Sequence, residues 1–494
     1  MNQKLLFARA YEAEAARQIP ALARPLFHLT PYSGWMNDPN GFSYYEGKYH
    51  LFYQYNPYDT EWDDMHWGHA VSEDLLHWTF LPAAMAPDAP QDDKGCWSGS
   101  ALTLPDGRQL LLYTGVRPEG GERDKDIQTQ CVAIGDGLNY EKPAHNPVID
   151  WTALPPGCDK HNFRDPRIWQ EQNGKYRCVV GTCDENHLGK LLLYESEDCF
   201  SWTYLGMLME NDGSLGRMWE CPDFFTLEGK QVVLISPQDM LPEGLEYHNG
   251  NGTVAFLGHF DESTHRFLPQ SNQAVDYGID FYAPTTVLSP DGRRIMIGWM
   301  QNWDTTKLSG SQDRKWFGQM TLPRELFIKD GRLYQRPIRE LDACRRNPVS
   351  YRDVLVEGEV HLPGIEGRTV DLELTIRPEP GEPLYHKFAV RFMQNEQFRS
   401  ALSYRPHESI LRIDRKFSGS RRAYIHQRRC QPLDRQGEIQ LRLILDRFSA
   451  EVFVNDGHQT MTATIFTDLA AKGISFFADG KARLDVTKYD LLID

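Results

Sequence analysis

The sequence predicts an all-β protein, a five-bladed β-propeller followed by a C-terminal β-sandwich. A turn glycine followed by an apolar strand recurs five times: EGKYHLFYQ at Gly47, DGRQLLLYT at Gly107, NGKYRCVVG at Gly174, EGKQVVLIS at Gly229 and DGRRIMIGW at Gly292. The intervals of 60, 67, 55 and 63 residues suit a blade of about four strands with its loops and are long for a solenoid repeat. Beyond a polar, arginine-rich stretch at residues 336–350 the pattern changes. Val370, Leu372, Leu374 and Ile376 alternate strictly, as do Ile439, Leu441, Leu443 and Leu445, the period-two mark of half-buried antiparallel strands.

Taken in order, residues 1–25 read as a short amphipathic helix with mixed charges, an N-terminal extension without the apolar run of a signal peptide. Residues 26–340 hold the five repeats and form the propeller. Outer strands repeat as well, in SEDLLHWT at Ser72–Thr79 and SEDCFSWT at Ser196–Thr203. Residues 350–494 form the sandwich. Within it EVFVNDG, ending at Gly457, reads as a strand running into a turn.

The innermost strand of each blade lines the propeller axis, so residues at one phase of the repeat converge at one end of the channel. Nine residues before four of the turn glycines stand Asp38, Ser98, Asp165 and Glu220, and the fifth copy has Ala283. Seven residues after the glycines stand Gln54, Thr114, Gly181, Ser236 and Trp299, at the same open end of the hairpin. Three carboxylates aimed at one spot repel each other unless chemistry uses them. Two suffice to cleave a glycosidic bond, one protonating the departing oxygen while the other attacks the anomeric carbon or activates water, and the third can hold ring hydroxyls.

Lysine plus arginine less aspartate plus glutamate is 53 − 69 = −16, which disfavours nucleic acid and gives no attraction to a membrane surface. A neutral small-molecule sugar fits better. The 12 tryptophans provide faces for sugar rings, although most tryptophans in a propeller fill space between blades. Nine scattered cysteines with no metal-ligand spacing suggest reduced thiols and a cytoplasmic protein. No metal or other cofactor is called for. His66, His69 and His77 read as hydrogen-bonded scaffold and Cys221 as a small buried hydrophobe.

WMNDPNG at 35–41, FYQYNP at 52–57, WGH at 67–69, WSGS at 97–100, FRDP at 163–166, MWECPD at 218–223, DYGIDFYAP at 276–284, IGWM at 297–300 and EVFVNDG occur in that order. In these motifs the chain resembles glycoside hydrolase family 32, the invertases and related β-fructofuranosidases, from about Pro25 to the end. The resemblance implies the same propeller and sandwich. It makes Asp38 the nucleophile, Glu220 the general acid and base, and Asp165 the transition-state stabiliser. It further implies that Asn37, Gln54, Trp62, Trp97, Ser98, Arg164, Tyr282 and Trp299 line a fructose pocket. The expected activity is retaining hydrolysis of the terminal β-fructofuranosyl unit of sucrose and short fructo-oligosaccharides through a covalent fructosyl-enzyme. Two readings stand beside it. One is a sucrose-6-phosphate hydrolase using Arg117, Arg123, Lys125 or Lys160 for the phosphate; the other is a sugar-binding propeller without turnover. The chain is expected to act as a monomer or homodimer.

Overall fold

Alternating apolar strands and tight turns fold locally into hairpins, and here five consecutive stretches of chain each build one antiparallel sheet. The computed structural model describes residues 2–63, 65–119, 125–306, 314–419 and 425–493. The inner strands are Gly34–Tyr45, Gly95–Thr103, Arg164–Gln170, Trp219–Leu227 and Tyr282–Leu288. Each packs against the next and the fifth against the first, which closes a five-bladed ring. Trp316–Phe317 leaves the fifth blade's run of chain to pair in parallel with Gly34–Trp35.

The two SED segments are turns rather than strands. Ser72 ends the third strand of blade one and Thr79 begins the fourth. Between them the Ser72 hydroxyl accepts from the Leu75 amide, and the Asp74 carboxylate accepts from those of Leu76 and His77. Ser196 and Asp198 repeat this arrangement in blade three. The local side-chain bonds satisfy the backbone and end the strand.

In the C-terminal part, Lys387–Gln394, Arg399–Arg405, Ile410–Phe417 and Gln427–Cys430 make one layer. Val370–Pro378, Ile439–Asp446, Ser449–Val454 and Gln459–Thr464 make the other. The 19-residue strand Gly473–Leu491 serves both, pairing first with Lys387–Gln394 and then with Val370–Pro378. The two alternating runs are direct partners, Leu372 opposite Leu443 and Leu374 opposite Leu441. Their inward faces pack with Phe388, Val390 and Phe476 of the opposite layer into one core, the arrangement of a sandwich. Gly457 follows the EVFVNDG strand with φ 88°, and a Cβ there would lie 1.7 Å from the Gln335 carbonyl oxygen of blade five, so only glycine lets the two parts approach.

Helix α1 (Gln3–Ala16) is capped by the Asn2 side chain. It lies against Thr79–Met85, the outermost strand of blade one. Leu5, Ala8 and Glu12 face the propeller, and the Glu12 carboxylate accepts from the Ala83 amide at 2.8 Å. Leu6, Phe7 and Tyr11 are exposed, so the helix is apolar on its outer face too and not amphipathic as its charges suggested. Among the described residues no helix is long and apolar enough to cross a membrane.

Candidate active site

Every inner strand carries a β-bulge at the same end of the ring. Pairing skips between Met36 and Pro39, Trp97 and Gly99, Glu220 and Asp223, and Tyr282 and Thr285, and in blade three across from Val179 and Gly181. A bulge sets two residues against one, bends the strand and re-aims a side chain. Asp165, Cys221 and Ala283 take φ of 63°, 46° and 49° at these points, a strain of about 1–3 kcal/mol each that tends to collect at functional sites. Next in the chain come Pro39, Gly99, Pro166, Pro222 and Pro284, which with Ser98, Asp165, Cys221 and Ala283 line a narrow axial cavity. Proline fits there because a bulge has no ladder bond for its missing N–H to break.

This register corrects the repeat phase. The residue at the bulge of blade four is Cys221, and Glu220 stands one step earlier. Glu220 pairs with Ser236 as Trp97 pairs with Thr114 and Tyr282 with Trp299. Counting back from the turn glycine slips by one because hairpin lengths differ. Blades two, three and five turn through five residues between Thr103 and Gln109, Gln170 and Tyr176, and Leu288 and Arg294. Blades one and four turn through two, and only blade one makes up the count with a second bulge, between Asn40 and Ser43. Asp38 and Asp165 therefore share the floor with Cys221, while Glu220 belongs to the ring of Trp97, Arg164 and Tyr282 above it.

The three carboxylates do converge. Asp38 Oδ2 accepts from the Ser98 hydroxyl at 2.7 Å and the Gln54 amide at 3.2 Å, and Gln54 also donates to Ser98 at 2.5 Å. The Cys221 thiol lies 3.4 Å from Asp38 Oδ2 and 3.6 Å from Asp165 Oδ2. That makes it a contact between two acids, a role that reading it as an inert hydrophobe missed. Asp165 Oδ2 also accepts from the Cys221 amide at 2.9 Å. Glu220 Oε1 accepts from Arg164 at 2.9 and 3.1 Å, and Glu220 Oε2 lies 2.6 Å from the Tyr282 hydroxyl. That hydroxyl is also 2.9 Å from the Ser236 carbonyl oxygen. Its single hydrogen can serve either, so Tyr282 can support Glu220 with or without a proton. Arg164 is steadied by Asn162 at 2.9 Å and Gln128 at 3.3 Å.

Burial and then the nearby Glu220 push Asp38 up to about 6, against the pull of the Ser98 hydroxyl and the Cys221 thiol. Asp165 is pushed up to about 7 by burial; Arg164 opposes this, and Glu220 and Asp38 add to it. Burial and the same acids hold the Cys221 thiol well above its usual range.

Tryptophans make the walls. Trp35 donates to Asn37 at 2.8 Å and stacks on Phe317 at 4.6 Å. Trp299 lies edge-on to Trp303 at 5.0 Å. Trp62 meets Trp97 edge-on at 5.6 Å and donates to Gln54 at 3.4 Å. Asp38 Oδ1 and the Trp97 and Trp299 indole N–H groups are buried without a hydrogen-bond partner among the described residues. Such groups are rare in a settled core and call for an explanation. All eleven sequence-chosen residues thus fall in one connected cluster. Trp35, Trp303, Asn162 and Gln128 are members that were not chosen from the sequence; Cys221, adjacent to Glu220 in MWECPD and read there as a small hydrophobe, is another.

Carboxylates gathered in a tryptophan-walled pocket are the equipment of a glycoside hydrolase. The chain belongs to glycosyl hydrolases family 32: the family's N-terminal domain matches residues 28–337 and its C-terminal domain residues 340–491. It is 35% identical over 464 residues to a sucrose-6-phosphate hydrolase of Escherichia coli, covering 92% of this chain and 91% of that protein. A raffinose invertase of Escherichia coli is 34% identical, with 97% of each chain covered. A Bombyx mori GH32 β-fructofuranosidase solved in complex with sucrose superposes with a TM-score of 0.86 at 32% identity, over 99% of both chains. The protein is a glycoside hydrolase.

Proposed function

We propose that the protein is a retaining β-fructofuranosidase that removes the terminal β-fructofuranosyl unit of sucrose and short fructo-oligosaccharides. The observation that carries this is the unpartnered, buried Oδ1 of Asp38 beside the Glu220 carboxyl. Asp38 Oδ2 is fixed by Ser98 and Gln54, which leaves Oδ1 as the attacking atom. Glu220 Oε1 is taken by Arg164, which leaves Oε2 to carry the proton. In the first step Oδ1 bonds to C2 of fructose as the C2–oxygen bond to the leaving sugar breaks, and the Glu220 proton goes to that oxygen. In the second, Glu220 takes a proton from water, whose oxygen displaces Asp38 from C2. Asp165 holds fructose hydroxyls and offsets the positive charge growing at C2. The indole N–H groups of Trp97 and Trp299 are donors for sugar hydroxyls.

Retention is tested by running the reaction on sucrose in aqueous methanol. Methyl β-fructofuranoside is the expected transfer product, and the α-anomer would overturn the double displacement. In the same assay sucrose is expected to outperform its 6-phosphate. Lys160, a candidate for the phosphate, is paired with Glu119 at 2.8 Å and sits over the Trp151 ring; Arg123 lies outside the described residues. The relatives named sucrose-6-phosphate hydrolases favour the other outcome, so a strong preference for the phosphate would transfer the proposal to that substrate. The nine cysteines, none in a disulfide, suit a reducing cytoplasm.

Asp38 must be ionised to attack, so kcat/KM is expected to fall as pH drops through about 6. Ser98→Ala removes a bond that favours the carboxylate, and should move this acid limb upward. A limb that stays in place would mean that Asp38 does not set it.

A further inference from the structure

Helix α1 presents an anomaly. Leu5, Ala8 and Glu12 bury its inner face, yet the outer face shows Leu6 at 51%, Phe7 at 63% and Tyr11 at 40% exposure. Apolar residues on both faces of a surface helix need a reason. Phe7 and Tyr11 lie one helical turn apart. Both rings meet Tyr58, at 5.7 and 5.2 Å, and each other at 6.4 Å. The Tyr11 hydroxyl donates to the Tyr58 carbonyl oxygen at 3.2 Å, which fixes helix to loop. The helix also precedes the residues matched by the family's N-terminal domain, which begin at 28.

The position of Tyr58 gives the patch its meaning. The chain leaves Gln54 at the pocket end of its strand, passes Tyr58 in the following loop, and reaches Trp62. Trp62 donates to Gln54, the residue bonded to Asp38. One short loop thus joins the pocket wall to the three-ring platform. An enzyme that removes terminal units holds one sugar in the pocket and leaves the remainder of the substrate to cross the rim. The C–H faces of sugar rings are apolar and their edges polar, so they suit tyrosine and phenylalanine faces that stay wet at their margins.

We propose that Phe7, Tyr11 and Tyr58 form a platform for the distal sugar units of a fructo-oligosaccharide whose terminal fructose occupies the pocket, a reading that rests on the proposed fructosidase activity. The platform is expected to bear on units beyond the one that adjoins the terminal fructose, so sucrose, with one unit beyond fructose, should not depend on it. A second copy of the chain is the weaker occupant, because three rings and Leu6 fall far below the roughly 20–30 residues a side of a stable interface.

The test compares the full-length enzyme with Phe7→Ala and Phe7→Ala/Tyr11→Ala on sucrose and on inulin-type oligosaccharides of three to six units, with Leu22→Ala, another exposed apolar residue, as the control. The expected result is a KM raised about 3- to 10-fold for the longer chains, with sucrose kcat and KM unchanged and Leu22→Ala like wild type. Equal KM changes on sucrose and long chains, or none on either, would overturn the platform. So would a switch from dimer to monomer in the double variant without a chain-length effect. Sucrose turnover by the wild type separates the two readings: if it is normal and the chain-length effect is missing, only the platform falls; if sucrose is not cleaved, both do.

Discussion

Asp38→Asn is expected to lower kcat on sucrose by at least about 10⁴-fold while leaving the fold and substrate binding intact. Asparagine matches aspartate in shape, and its carbonyl oxygen can still accept from Ser98 and Gln54, whose bonds to Oδ2 hold the side chain. What disappears is the charge on the unpartnered Oδ1, and with it the bond to C2. Asp38 is 7% exposed, so bulk water has little room to substitute as the attacking group. Calorimetric titration with sucrose checks that binding persists, and single-turnover kinetics checks the chemical step. Activity above about 1% of wild type would move the nucleophile elsewhere.

The fold was legible where a local pattern repeats. Turn glycines marked the inner hairpins, and the two leucine-rich runs turned out to be one another's strand partners, Leu372 with Leu443 and Leu374 with Leu441. The site was legible because a propeller brings equal phases to one end of its axis. The one-residue slip at Glu220 was not, since the spacing from bulge to turn depends on hairpin geometry that a residue count cannot see. SEDLLHWT read as an outer strand because it recurs as SEDCFSWT, but Ser72 and Asp74 bond the backbone of the turn instead. Helix α1 was legible as a helix but not in its outward aromatics, whose partner Tyr58 lies on a distant loop. The contacts that join propeller to sandwich left no trace, because His28 meets Asp446 and Glu451 across more than 400 residues of chain.

That junction supplies the second large effect. Glu451 is fully buried: Oε2 accepts from Arg324 at 2.5 and 3.0 Å, while Oε1 accepts from the Leu322 amide and lies 2.8 Å from His28 Nε2. His28 Nδ1 lies 2.8 Å from Asp446, and Arg324 also meets Asp276 at 3.1 Å. Glu451→Ala leaves two buried cations short of a counter-charge, and should cost about 3–5 kcal/mol in urea denaturation; a loss under about 1 kcal/mol would mean that water or neighbouring groups take its place. The same cluster fixes a pH dependence. Burial alone would lower His28, but bonds to Asp446 and Glu451 outweigh it and raise the imidazole to about 9. A group raised from about 6.5 when unfolded stabilises fully below that value, and its contribution is lost as pH climbs through 9. Asp446 and Glu451 are held below their usual ranges, since burial is outweighed by His28 for the first and by Arg324 and His28 for the second. Their contribution is therefore lost on the acid side, as pH falls below about 4. Between pH 6.5 and 9 the wild type should lose stability with a slope of up to about 1.4 kcal/mol per pH unit, and His28→Asn should flatten that slope. An unchanged slope would assign the alkaline loss to some other group.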